Sequence, residues 1–158
     1  MSISGISSIP VANVKNWATA DIAAIEPAEL ANLSSAQAAE LSTSQIKAIN
    51  TVSIKALSTS VIKSLSVNQV YALITAQIAA LIPSTQIVAL TTSQFSHLGS
   101  SQLAAMTTEQ IGFIETEDLA AITTEQITAL TATQISNLNT SQVMALTTAQ
   151  TNVLTSTQ

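Results

Sequence analysis

Residues able to do chemistry are few in this chain, and they are poorly placed to cooperate. His97 is the only histidine, and no Asp or Glu lies between residues 41 and 105 to orient it or stabilise its charge. General acid–base work needs such a partner within hydrogen-bond reach. His97 is therefore expected to be a partly buried filler beside Leu98 and Gly99. Glu115, Glu117 and Asp118 form the one dense carboxylate cluster. A hard cation needs several convergent oxygens, usually around a glycine turn. These three follow one another at helical spacing with no glycine-rich loop, so no metal site is expected. With no Cys, disulfides and thiolate metal sites are excluded. Neither a phosphate-cradling loop nor a nucleophile elbow occurs. The reading is of no catalytic residue, no metal ligand and no cofactor: a protein that is not an enzyme.

The remaining charges are patterned. Lys47, Lys55 and Lys63 recur every eight residues, and so do Glu109, Glu117 and Glu125. The two sets are segregated: residues 41–105 hold Lys and no acid, residues 106–158 hold acids and no Lys. With the bulky Tyr71 between them, these seven residues are the candidate interaction surface. The spacing predicts a ladder of Lys on one face, suited to another protein or to a neighbouring copy's acidic stretch. The plainer alternative is a set of solvated positions that add solubility. Net charge is −5, with four Lys and no Arg. Such a chain neutralises few phosphates, so nucleic acid is not an expected partner.

Charged residues make up only 8% of the chain, against roughly 25% in ordinary domains, while apolar residues make up 47%. That much apolar residue argues against disorder and leaves a repeat as the explanation of the bias. Apolar runs are short, as in Ile78-Ala79-Ala80-Leu81-Ile82, whereas a membrane-spanning helix needs about 20 residues. Membrane insertion is not expected. The N-terminus has neither a basic start nor a long apolar stretch, so no cleavable signal peptide is expected.

A period of eight runs from Met1 to Gln158, with the consensus Leu-Thr-Thr-x-Gln-Ile-x-Ala clearest at 122–129. The block at 81–89 carries one extra residue at Ile82-Pro83, expected as an insertion at a corner, with a bend in the rod as the alternative. The first position is large and apolar in all 20 blocks, and the fifth is Gln in 13 of 20. The sixth is Ile, Val, Leu or Phe except at Ala38 and Thr151, and the eighth is commonly Ala. A single long helix would rotate about 80° per octad and smear these columns around its surface. A strand would send the first and sixth positions to opposite faces.

Short helices fit. The second position is mostly Ser, Thr, Asn or Gly, which favour N-caps. Gln three residues later completes a capping box, as at Ser34/Gln37, Ser42/Gln45, Thr107/Gln110, Thr123/Gln126, Thr131/Gln134 and Thr147/Gln150. Pro27 falls at a first helical position, where its missing N–H costs nothing. Helices this short need neighbours to hold them. The fold predicted is all-α: a solenoid of very short helices, one per octad, around a narrow Leu/Ile core. Residues 1–16 read as degenerate capping octads and 17–158 as the repeat proper, within a single domain. Breaking off mid-octad at Gln158, the array is expected to continue in a longer protein.

The run Leu-Thr-Thr-Glu-Gln-Ile-Thr-Ala-Leu at 122–130 resembles Thr-Thr-x-Gln tracts of large secreted bacterial proteins of the RTX-adhesin and haemagglutinin-like kind. The likeness covers residues 33–158. It implies a bacterial surface or extracellular location and a spacer or adhesive role; the glycine-rich calcium nonapeptides of RTX proteins are missing, so calcium is not carried over. The function expected is a structural or adhesive module. A solenoid surface that binds a peptide or glycan is one alternative, and a unit that stacks end to end into filaments is another.

Overall fold

The computed structural model describes residues 3–158. Among them the regular elements are all helical turns, from Ile6–Ser8 to Thr148–Val153, none longer than six residues. The predicted solenoid of one short helix per octad is what the chain forms. The capping boxes explain the starts. At all six predicted sites the Ser or Thr oxygen accepts the Gln N–H, and the Gln side chain accepts the cap N–H in return. Pro27 opens the helix Pro27–Leu30 as expected. Some helices, such as Ser35–Ala39, stop in the eighth column; others stop at the next first-column residue, which turns extended, as Ile49 does with φ −60° and ψ 124°. Its N–H folds back on the sixth-column carbonyl, as from Ile49 to Ile46 at 3.2 Å. These corner bonds span three residues, so the first and sixth columns share one face.

That face is the core. The first-column residues from Ile25 to Leu138 and the sixth-column residues from Ile6 to Ile127 are buried in one continuous cluster. Ile9, Trp17 and Ile135 are half-buried, with Trp17 and Ile135 packed against it, while Val143 and Thr151 are exposed. Each buried Leu or Ile contributes about 1.5–3 kcal/mol before entropy.

The helices stack at a longer interval than one octad. Helix Thr116–Ala121 packs on Thr92–Ser96 below and on Thr140–Ala145 above. Both neighbours start 24 residues away (116 − 92 = 24 and 140 − 116 = 24). The glutamine bonds between turns reach 28 to 32 residues back. One superhelical turn therefore takes between three and four octads.

The extra residue near Ile82 is absorbed inside a helix rather than at a corner. Residues Pro83–Ile87 form a widened turn in which the Ile87 N–H donates to the Ile82 carbonyl at 3.1 Å, five residues back. A widened turn takes up one residue without disturbing what flanks it. Gln86 still reaches the preceding turn, and its neighbours stay in register.

Candidate functional site

The glutamines do more than cap. Each of the thirteen fifth-column Gln residues has its Oε1 on the N–H of its own helix cap and its Nε2 on the preceding turn. Gln45 is typical: Oε1 accepts the Ser42 N–H at 2.7 Å, and Nε2 donates to the carbonyls of Val14 and Trp17, both at 2.9 Å. Gln110 repeats this on Ile78 and Leu81, and Gln150 on Leu119 and Ile122. A helix end leaves carbonyls unpaired, and here the next turn's amides supply the donors. One side chain thus satisfies the start of one helix and the end of another. The buried glutamines, from Gln37 to Gln150, are nearly inaccessible to solvent. Sequence reasoning found only the capping half. The signal for the other half is the amide itself, since Glu would cap as well yet cannot donate.

The exceptions show what the position demands. Ser53 replaces Gln in the octad that starts at Ile49, and two side chains divide the work. The Asn50 Oδ1 accepts the Val52 and Ser53 N–H groups, while its Nδ2 donates to Ala23 and Ile25; the Ser53 hydroxyl donates to Ile25 at 2.6 Å. Asp118 is a buried acidic exception, 3% exposed. It has no amide, so the carbonyls of Ile87 and Leu90, 31 and 28 residues back, receive no glutamine donor. Burial raises its pKa first of all, with Glu115 and Glu117 adding to the rise; a hydrogen bond with the Thr92 side chain pulls the other way.

The exposed candidates are distributed differently from the predicted ladder. Lys47, Lys55 and Lys63 are all exposed, but successive octads advance by a quarter to a third of a turn. An interval of eight therefore spreads residues around the solenoid instead of aligning them. Alignment comes from residues about one turn apart. One groove of about 560 Å³ is lined by Lys47, Tyr71, Gly99 and Glu125 together. A second, of about 220 Å³, brings Lys55 to Glu109 beside Ile82 and Pro83. Glu117 lies in a third, with Phe113 and Val88. Lys63 lines none of these. The Lys stripe facing one way is thus corrected to mixed-charge grooves.

His97 is also corrected. It is exposed, with Nδ1 2.7 Å from the Ser93 carbonyl oxygen and 3.1 Å from the Ser96 hydroxyl. The eighth column sits at the edge of the core, where Ala fits. Larger occupants such as His97, Phe113 and Asn137 swing outward. The acidic cluster diverges: Glu115 and Glu117 are exposed while Asp118 is buried. Among the described residues no group of three or more metal-ligating side chains comes together, and no helix is long and apolar enough to cross a membrane.

An eight-residue unit of apolar corner, hydroxyl cap and bridging Gln thus recurs along the described residues. A comparison with curated proteins finds no match. The model of the ALTTAQ repeat matches residues 18–51, 46–83, 82–113 and 111–148, and on that coverage the chain belongs to the ALTTAQ-repeat family.

Proposed function

We propose that this chain is a structural spacer and protein-interaction scaffold, adhesive in role, in a bacterial surface or secreted protein. The observation that carries the reading is the equivalence of its turns. The same amide bridge recurs at thirteen octads from Gln37 to Gln158, so most octads are held to the preceding turn by the same bonds. The fourth column, whose residues vary most freely between octads, faces outward. Stability in such an array is a sum of nearest-neighbour terms, which suits an element whose length is its property. The likeness of residues 122–130 to secreted adhesin tracts supports the location.

Two experiments test this. In force–extension measurements on the tethered chain, a spacer gives way turn by turn, each step releasing roughly 28 residues or about 95 Å of chain. A single all-or-none rupture counts against it. Brief protease treatment of intact cells releases fragments of the array if it stands on the surface; fragments that appear only after lysis reject the location.

A second reading, a binding module for a peptide or glycan, is favoured by the groove around Tyr71, a residue 63% exposed. A filament stacked end to end has less support.

A further inference from the structure

The groove that holds Tyr71 is self-complementary. Lys47 lines it from one turn, Tyr71 from the next, Ser101 from the one after and Glu125 from the last. The spacing is palindromic: Tyr71 follows Lys47 by 24 residues (71 − 47), and Glu125 follows Ser101 by 24 (125 − 101). Reversing the direction of the chain exchanges the positive end with the negative one. Among the described residues, neither Lys47 nor Glu125 has an ion-pair partner within the chain. Both remain available to a neighbour.

The middle of the groove is apolar where the fold does not require it. Ile74 occupies an N-cap position, is 46% exposed and offers no side-chain oxygen to the helix it starts. A Ser or Thr there, as in most octads, would cap better. Tyr71 stands in the exposed seventh column. Its ring lies over Gly99, where an added Cβ would come within 3.3 Å of Tyr71 Cε2. An exposed aromatic beside an exposed Ile, flanked by opposite charges, has the make-up of an interface centre with a polar rim.

We propose that this face pairs with a second copy of the chain, side by side and antiparallel, about a two-fold axis between Tyr71 and Ser101. Lys47 then meets the partner's Glu125, and Glu125 meets the partner's Lys47. Tyr71 lies on the partner's Ser101, and the reverse contact follows by symmetry. Such isologous contacts close on themselves and stop at two copies, unlike end-to-end stacking. The pairing goes beyond the spacer reading and does not depend on it, since a monomeric array would still serve as a spacer.

Charge exchange tests it. Sedimentation velocity over a wide concentration range is expected to show a monomer–dimer equilibrium that weakens with added salt, as exposed ion pairs do. Lys47→Glu alone and Glu125→Lys alone each set like charges opposite one another and are expected to abolish the dimer. The double variant restores both pairs and the dimer with them. Tyr71→Ser weakens association by about tenfold or more. The three substituted positions are all solvent-facing, so thermal melts monitored by circular dichroism verify that each variant folds. A wild-type chain that stays monomeric throughout overturns the proposal. So does a double variant no better than the single ones, which would point to a peptide or glycan as the occupant of the groove.

Discussion

Gln110 donates its side-chain amide to the carbonyl of Ile78, 32 residues earlier in the chain and one turn below, at 2.8 Å. The same nitrogen reaches Leu81, also at 2.8 Å, while its oxygen accepts the Thr107 N–H. This bond between turns joins local helix chemistry to the superhelix. It requires a side chain that accepts at one end and donates at the other, as only an amide of this length does.

Glu and Gln should therefore differ sharply at position 110. If capping alone mattered, Gln110→Glu would be nearly silent. The carboxylate would instead face two carbonyls with no proton to offer, and an uncompensated buried charge costs about 3–5 kcal/mol. Gln110→Leu leaves the Leu81 carbonyl without this donor and the Ile78 carbonyl with only the corner bond from Leu81, at about 1–3 kcal/mol for the unpaired one. The expected order of melting temperatures at neutral pH is wild type, then either variant well below it. The Glu variant alone recovers as acid protonates it. A Glu variant that melts with the wild type would rule out the bridge.

The column assignment has its own test. Leu130 is buried in the first column and Thr128 exposed in the seventh. Leu130→Asp is expected to cost more than about 4 kcal/mol, whereas Thr128→Asp should stay within about 0.5 kcal/mol. At about 2–4 °C per kcal/mol for a chain of this size, thermal melts separate the two. Similar losses from both would contradict the placement of the core.

Asp118 gives the fold a pH dependence of definite sign. Burial raises its folded-state pKa above 3.8, and Glu115 and Glu117 raise it further. The folded chain then holds this proton more tightly than the unfolded chain does. The resulting stabilisation is fully present below 3.8 and is lost as pH rises through the folded-state value. Stability from this residue should thus increase on acidification from neutrality. Asp118→Gln removes that dependence and supplies the missing donor to Ile87 and Leu90, a gain of about 1–3 kcal/mol at neutral pH. Denaturant melts at a series of pH values check both; parallel profiles for wild type and variant would dismiss the effect.

Ile74→Ser should strengthen the monomer while weakening any pairing of its face. The serine oxygen can accept the Gln77 N–H, completing a box of which only the Gln half now exists. Such a cap is worth about 1 kcal/mol. A higher melting point at high dilution is the expected result, and a lower one would mean that Ile74 stabilises the monomer through contacts of its own.

Much of this fold is legible in single residues. Ser34, Ser42 and Thr107 with their glutamines announce helix starts, because a capping box is closed by atoms three residues apart. Leu and Ile of the first and sixth columns announce a shared face for the same reason. The exposure of His97 is not legible in the sequence, because the depth of the eighth column depends on the neighbouring turn. The grooves are not legible because Lys47, Tyr71 and Glu125 come to line one groove only through the pitch.

The amino-acid order by itself determined the all-helical octad, its caps and its core columns, since each rests on contacts within a few residues. Tertiary structure alone decided that a turn takes between three and four octads, that Gln110 finds Ile78 and Leu81, and that Lys47 shares a groove with Tyr71 instead of with Lys55. The physical reason is that the angle accumulated at each corner, a few degrees either way, selects which distant residues meet. No local pairing encodes that sum.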